Sequence, residues 1–299
     1  MAKSMSMNLN ILVTGSDGQL GNSIRQLETI YTGYNLFFTD IAELDISNES
    51  EVKRYITENK IKCIINAAAY TAVDKAEEEP KLANLINGKA PAILARSMNA
   101  VNGLLVHIST DYIFDGKAHQ PLVETDQPKP ISAYANSKWL GEKLILDESC
   151  NAVILRTSWL YSEFGHNFVK SMMKFGRERE ELKVVFDQVG TPTYAVDLAR
   201  VILDLIPEWV NKSTTEIYHY SNEGVASWYD FALAVHELAG IKCRVLPIET
   251  KDYPLPAKRP FYSLMNKEKI KTEFGISLPH WRDSLKICVD KLLSSENRS

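Results

Sequence analysis

The sequence lacks paired cysteines and long apolar runs. Its four thiols, Cys63, Cys150, Cys243 and Cys288, are too far apart to suggest a zinc site, a redox dithiol or a disulfide framework. No apolar run approaches the roughly 20 residues that cross a bilayer. The net charge is −4 and the basic residues are scattered, which argues against a nucleic-acid partner. We therefore expect a cytoplasmic globular protein with no nucleic-acid or membrane partner.

The beginning of the chain has no charged segment followed by an apolar one, as a signal peptide would. The first eight residues hold three methionines. We expect them to be an extension ahead of the first strand, with Met7 as a candidate start. The full 299 residues, 45% hydrophobic and 24% charged, suffice for one large α/β domain or for a domain with a smaller lobe.

Apolar runs alternate with helical patterns through the first half of the chain. The predicted strands are residues 10–14, 35–39, 62–69, 103–109 and 152–157, and the predicted helices are 18–30, 49–58, 80–98 and 132–148. Because this alternation requires parallel pairing through crossovers, it predicts a doubly wound α/β (Rossmann) sheet over residues 8–160. We expect residues 161–295 to form mainly a smaller C-terminal substrate-binding lobe, and some of their segments to return to the sheet.

Three glycines, Gly15, Gly18 and Gly21, follow the first strand and open the first helix. The first glycine permits a sharp turn, another lets backbone amides approach a phosphate, and the last allows close packing of the helix. The helix N-terminus adds positive potential, so we expect a dinucleotide pyrophosphate here. Glycines alone occur in many turns, and it is the strand-to-helix context that favours this site.

Asp40 lies 19 residues beyond Gly21, at the end of the second predicted strand. There a carboxylate reaches the adenosine ribose hydroxyls and repels a 2′-phosphate, which slightly favours NADH over NADPH; an ordinary turn aspartate remains the alternative. Asp45 and Ile46, just beyond, are candidates to border the adenine. The next apolar run ends in three small residues that suit a flat ligand as well as tight packing: Ala67, Ala68 and Ala69.

Tyr134 and Lys138 are four residues apart on a predicted helix, so both project from one face. An ammonium beside a phenol lowers the tyrosine pKa and makes proton transfer to a carbonyl oxygen feasible. Such a pair arises by chance about once in a chain of this composition. Thr110 ends the preceding strand, where doubly wound folds bind ligands, and would hydrogen-bond the reacting oxygen or the tyrosine; a local backbone contact is the alternative.

Together these motifs resemble the extended short-chain dehydrogenase/reductases, and most closely the branch that reduces dTDP-4-dehydro sugars. The likeness runs from about Asn8 to the last helix and includes residues 156–159. Its more distinctive segments are residues 69–77, 109–116, 258–260 and 263–264. The resemblance implies hydride transfer from reduced nicotinamide to C4 of a dTDP-4-dehydro-6-deoxy-L-sugar, which completes dTDP-L-rhamnose.

The same resemblance implies roles for individual residues. Tyr134 supplies the proton, Lys138 orients the cofactor ribose, and Thr110 adjusts the tyrosine. Thr110 and Asp111 contact the sugar nucleotide, and Trp159 packs against the sugar. The implied cofactor contacts are Gly18, Gln19 and Leu20 at the pyrophosphate, Asp40 at the ribose, Asp45 and Ile46 at the adenine, and Ala69, Tyr70 and Thr71 near the nicotinamide.

Some members of this family form a dimer bridged by magnesium through glutamates. Ser23 stands at one matching position and Asp197 falls near another, which does not make a convincing ligand set. The six histidines offer no ligand spacing either. We therefore expect no structural metal, and either a monomer or a homodimer.

Two other functions remain open. An epimerase of the same family would use the same tyrosine and lysine, whereas a dehydratase needs a glutamate where Tyr112 stands. A regulatory subunit resembling the β subunit of methionine adenosyltransferase would share the fold without catalysis. The segment around Trp159 favours a reductase.

Overall fold

The structure, a computed structural model, describes residues 8–296. The candidate start Met7 lies outside the described residues. The strands are β1 (Leu9–Thr14), β2 (Tyr34–Thr39), β3 (Cys63–Asn66), β4 (Leu104–Thr110), β5 (Ala152–Thr157), β6 (Leu160–Tyr161), β7 (Glu181–Val185), β8 (Val189–Gly190), β9 (Thr193–Tyr194), β10 (Thr215–His219), β11 (Ala226–Ser227) and β12 (Arg244–Ile248). Six of them form one parallel sheet in the order β10-β5-β4-β3-β1-β2.

Helices cover both faces of this sheet and build the lobe. They are α1 (Gln19–Leu27), α2 (Glu49–Glu58), α3 (Pro80–Ala83), α4 (Ala90–Asn99), α5 (Ala133–Asp147), α6 (Phe168–Glu178), α7 (Ala195–Trp209), α8 (Trp228–Ala239), α9 (Glu268–Phe274) and α10 (Trp281–Glu296). Within residues 8–296, none is long and apolar enough to cross a membrane.

The central strands are buried on both sides, as their apolar runs predict. Ile11 and Val13 of β1 pack into the cluster that contains α1 and α7 residues, whereas Leu12 packs into the cluster with α2, α4 and α5 residues. This alternation arises because successive strand side chains point to opposite faces. The predicted doubly wound α/β class is confirmed.

The second half of the chain contributes to both parts of the molecule. β10 pairs in parallel with β5 at the sheet edge, and α7 packs against α1. The remaining strands form short pairs, β6 with β9, β7 with β12 and β8 with β11. The division near residue 160 stays a prediction.

A close backbone contact sets the position of α5. In the structure, the single helix predicted over residues 80–98 is divided into α3, a π-helical turn at Asn84–Lys89, and α4. A Cβ on Gly141 of α5 would lie 2.2 Å from the Asn87 carbonyl oxygen in that turn, so only glycine fits. The Asn87 side chain donates to the Ser137 hydroxyl on α5 at 2.9 Å and to the Tyr70 carbonyl at 3.0 Å. The π turn therefore joins α5 to the end of β3.

A buried ion pair holds the other side of α5. Arg156 on β5 and Glu142 on α5 are 1% and 0% exposed, and Nη2 lies 2.7 Å from Oε2. The Arg156 Nε also donates to both Glu142 oxygens at 3.1 Å, and the Ser109 hydroxyl donates to Oε1. Charges buried this deeply are tolerated only when they are paired and hydrogen-bonded.

We expect Arg156→Met to lower the free energy of unfolding by about 3–5 kcal/mol, because it leaves the Glu142 carboxylate unpaired in the core. Arg96→Met is the control, since Arg96 is 47% exposed where it pairs with Glu148 and should contribute under about 1 kcal/mol. Urea unfolding measures both, and the double variant Arg156→Met, Glu142→Leu should recover much of the loss. Equal losses from the two arginine variants would contradict the interpretation.

Candidate active site

One cleft of about 940 Å³ opens at the carboxyl ends of β1, β3 and β4 and is faced by the lobe. This is the edge where doubly wound sheets bind ligands. Of the residues predicted for the site, the cleft is lined by Gly15, Gly18, Gln19, Leu20, Asp40, Asp45, Ile46, Ala67, Ala68, Ala69, Thr71, Thr110, Asp111, Tyr134, Lys138 and Trp159. Gly21 and Tyr70 are not among its lining residues.

The glycine turn is shaped by contact with the end of β3. Gly15 has φ +65°, and a Cβ there would lie 2.6 Å from the Ala68 backbone nitrogen and Cα. Gly18 caps α1 and has no side chain to occupy the N–H groups of the first turn. Gly21 has no room for a side chain, since a Cβ there would lie 2.5 Å from Ser16 backbone atoms. The turn therefore presents free backbone donors to the cleft.

Acidic side chains border the cleft just beyond the end of β2. The Asp40 carboxylate accepts hydrogen bonds from the backbone of Asp17 at 3.2 Å and of Ile41 at 2.8 Å. The Asp45 carboxylate accepts from the Ser47 backbone and hydroxyl at 2.9 and 2.7 Å. Asp40 thus stands beside the glycine turn, as its spacing predicts.

Tyr70 does not direct its side chain into the cleft. Its hydroxyl donates to Glu79 at 2.7 Å, and its backbone N–H and carbonyl are both held by the Asn87 side chain. The sequence could not show this, because Asn87 reaches Tyr70 only through the π turn. A contact from Tyr70 to a cofactor stays a prediction.

The Tyr134 phenol sits in an apolar and acidic environment. Its ring meets that of Tyr112 edge to face, with centroids 5.9 Å apart. Burial raises the pKa of Tyr134 to about 12; the nearby Thr110 hydroxyl lowers it, and the Asp111 carboxyl raises it. The fall in the Tyr134 pKa expected from sequence is therefore wrong for this structure.

The reason lies in where Lys138 points. Its Nζ donates to the Ile108 carbonyl oxygen at 2.6 Å and lies 3.5 Å from Nε2 of His107. Burial lowers the pKa of Lys138 to about 8, while Glu142 one turn along α5 raises it. Burial and the Lys138 charge lower the pKa of His107 well below its usual value, so this imidazole is neutral. The ammonium is held by the end of β4, not by the phenol.

Asp111 is a buried carboxyl that lines the cleft next to Thr110. It is 1% exposed, and the Thr110 hydroxyl lies 3.1 Å from its Oδ1. Burial raises the pKa of Asp111 to about 7, and hydrogen bonding with the Ser263 and Thr110 hydroxyls lowers it. Near neutral pH this group can therefore either donate or accept a hydrogen bond.

Two distinctive segments of the sequence meet beside Tyr112. Arg259 donates to both Asp74 oxygens, at 2.7 and 2.6 Å, and to the Ala257 carbonyl at 2.6 Å. The Arg259 guanidinium holds the pKa of Asp74 below its usual range. The ion pair ties a C-terminal loop to the segment that follows β3.

The Gln19 side chain binds the lobe. Its Nε2 donates to the Leu160 carbonyl at 3.2 Å, and its Oε1 accepts from the Ser162 hydroxyl at 3.1 Å and the Asn167 amide at 3.0 Å. The predicted pyrophosphate contact is left to the Gln19 backbone. The sequence offered no signal for this link, because the partners are 141 or more residues away.

Sequence reasoning missed several residues on the lobe side of the cleft. Ser158, Gly165, His166, Asn167 and Trp228 all line it. Trp159 has φ +46°, and its indole stacks on that of Trp228 with centroids 3.7 Å apart and planes 10° apart. The pattern Ser227-x-x-Asp230 predicts a helix start in the sequence, but nothing in it places that start at the cleft.

The two positions considered for a metal are engaged elsewhere. The Ser23 hydroxyl donates to the Gln19 carbonyl at 2.8 Å, and Asp197 accepts from Asn222 at 2.8 Å and Ser284 at 2.5 Å. Across residues 8–296, no group of three or more His, Cys, Asp or Glu side chains could hold a metal ion. The absence of a structural metal stays a prediction.

Comparison with known proteins places these features in a family. A family described as the RmlD substrate binding domain matches residues 9–294. A dTDP-4-dehydrorhamnose reductase from Aggregatibacter actinomycetemcomitans is 41% identical over 285 residues, 92% of this chain and 97% of that protein. Among solved structures, a dTDP-4-dehydrorhamnose reductase from Clostridium acetobutylicum is 43% identical with a TM-score of 0.90, covering 95% of this chain and 100% of that one. Another from Bacillus anthracis, in complex with NADP, is 37% identical with a TM-score of 0.90 and the same coverage.

The buried Asp111 should make stability depend on pH. Its carboxyl pKa is about 7 in the fold and about 3.9 when unfolded, so between these values the folded state binds more protons and loses stability as pH rises. The free energy of unfolding of Asp111→Asn should rise relative to that of the wild type by about 1.4 kcal/mol for each pH unit in that window. Above the window the difference between the two proteins should stay constant. Urea unfolding across the window measures this, with the exposed Asp283→Asn as control. Parallel curves for wild type and Asp111→Asn would contradict it.

Proposed function

Because the chain belongs to the family of the RmlD substrate binding domain, we propose that it reduces dTDP-4-dehydro-β-L-rhamnose to dTDP-L-rhamnose with NADH or NADPH. This reaction is the last step of dTDP-rhamnose biosynthesis. The observation that carries the proposal is that one cleft is lined by Gly15 and Gly18 of the glycine turn and also by Tyr134, Lys138 and Thr110. The names of the similar proteins support the same reaction.

The near end of the cleft fits a nicotinamide dinucleotide. Gly15 and Gly18 leave backbone donors open at the start of α1, where a pyrophosphate is favoured by the helix dipole. Asp40 lies beside this turn, where it would accept from ribose hydroxyls. The small side chains of Ala67, Ala68 and Ala69 give a flat ligand close access to the backbone.

When bound, the reduced nicotinamide supplies the hydride that adds to C4 of the sugar. The Tyr134 phenol gives its proton to the carbonyl oxygen, which becomes the product hydroxyl, and the resulting phenolate takes a proton back from solvent. A pKa of about 12 keeps Tyr134 protonated at neutral pH, which is the form that an acid requires. Thr110 beside it would hydrogen-bond the same oxygen or the phenol, and Lys138 would hold the cofactor ribose.

The far end of the cleft would bind the sugar nucleotide. Asp111 and Trp159 line it, and Asp111 can donate or accept a hydrogen bond near neutral pH. Tyr112 occupies the position where a dehydratase carries a glutamate, so the cleft lacks that acid-base pair. This favours reduction over elimination of water.

We expect wild-type protein with enzymatically generated dTDP-4-dehydrorhamnose to oxidise NADH or NADPH, followed by nicotinamide absorbance. Tyr134→Phe should remove almost all turnover while leaving coenzyme affinity nearly unchanged, because only the proton donor is lost. Tyr161→Phe is the control, since the Tyr161 hydroxyl bonds the Trp281 carbonyl outside the cleft. Near-normal turnover in Tyr134→Phe would refute the mechanism, and no oxidation by wild type would favour an epimerase or a regulatory subunit.

We also propose a preference for NADH, set by the Asp40 charge. Asp40→Ala should lower the ratio of kcat/KM with NADH to kcat/KM with NADPH, because the 2′-phosphate of NADPH would no longer meet a carboxylate. Asp40→Asn separates charge from hydrogen bonding: it should relieve the repulsion while keeping an oxygen acceptor for the Asp17 amide. An unchanged coenzyme ratio in both variants would show that Asp40 does not face the ribose.

A further inference from the structure

Trp159 holds a backbone conformation that is unusual for its size. It has φ +46°, and the other three non-glycine residues with positive φ among residues 8–296 are Lys60, Asn102 and Ser149. A bulky side chain in the left-handed region is strained and persists only where its surroundings impose it. Strain of this kind gathers at ligand sites, and Trp159 lines the cleft.

The surroundings that impose it converge on Trp228. The two indoles stack with centroids 3.7 Å apart and planes 10° apart, and Trp228 in turn meets Phe168 at 4.7 Å. On another side of the Trp159 ring lies Gly190, where a Cβ would stand 3.0 Å from Cε2. The ring is therefore confined between a second indole and a backbone that has no side chain.

The position of Trp228 is itself fixed by hydrogen bonds. It is the first residue of α8, whose N-terminus carries a capping box in which Ser227 and Asp230 bond each other's backbone. The strand that ends at Ser227 pairs with the strand that contains Gly190. The backbone of Trp159 is anchored too, since the Trp159 carbonyl oxygen accepts a hydrogen bond from the Thr193 N–H at 3.1 Å.

We infer that Trp228 is a positioning residue for the sugar-nucleotide end of the cleft, acting by holding Trp159 against it. This rests on the proposed function. The two indoles form one aromatic wall on the lobe side of the cleft. Because the proposed function places the sugar against Trp159, loss of Trp228 should weaken binding of the sugar nucleotide more than binding of the coenzyme. An aromatic pair of this geometry changes binding by up to about tenfold.

The test compares Trp228→Ala and Trp228→Phe with Trp281→Phe, a buried lobe tryptophan that does not line the cleft. We expect Trp228→Ala to raise KM for dTDP-4-dehydrorhamnose by roughly tenfold, with kcat and the coenzyme KM changed by less than about twofold. Trp228→Phe should recover most of the lost affinity because it keeps a stacked ring.

Far-ultraviolet circular dichroism provides a second readout, since closely stacked indoles give an exciton-coupled signal. Trp228→Ala should abolish this signal and Trp281→Phe should retain it.

The outcomes separate this inference from the proposed function. If wild type is active but Trp228→Ala raises the sugar KM no more than Trp281→Phe does, or raises the coenzyme KM equally, the inference is overturned and the function stands. If the exciton signal survives Trp228→Ala, the stacked pair does not exist in solution. If wild type oxidises neither coenzyme, the proposed function fails and the sugar-binding role of Trp228 fails with it.

Discussion

The catalytic end of this molecule depends on the buried ion pair between Arg156 and Glu142. It joins β5, the neighbour of the edge strand β10, to α5 with both groups almost fully enclosed, and Ser109 bonds the same carboxylate from β4. Neither charge could remain in that interior without the other. On the same helix face, Lys138 and Tyr134 follow Glu142 at successive turns toward the N-terminus. The pair therefore fixes the helix face that carries Tyr134 and Lys138 into the cleft.

The chemistry of the site follows from how that helix meets β4. Lys138 donates to the Ile108 carbonyl, and a neutral His107 lies behind it, so the lysine charge is held by the strand end. Tyr134 is left among apolar atoms and the Asp111 carboxyl, which keep its pKa near 12 and its proton in place. The ammonium is thus fixed by the strand end, while burial keeps the phenol protonated.

The lobe acts on the same cleft through contacts that span the chain. Gln19 leaves the glycine turn to bind the segment after β5, and Arg259 reaches back to Asp74 beyond β3. The stacked pair of Trp159 and Trp228 lines the cleft from the lobe side. These links join the cofactor end, the sugar end and the C-terminal loop, so both halves of the chain are needed for one site.

The sequence by itself determined what local geometry controls. Alternating apolar runs specified the parallel sheet, Gly15 had to accept a positive φ, and the spacing of Tyr134 and Lys138 put both on one helix face. Only the tertiary structure decided the direction of the Tyr134 pKa, the outward turn of Tyr70, the use of the Gln19 side chain and the presence of Trp228 in the cleft. Each of these depends on burial or on partners distant in sequence. Desolvation and long-range hydrogen bonds have no signature in a local pattern, whereas backbone periodicity and steric limits do.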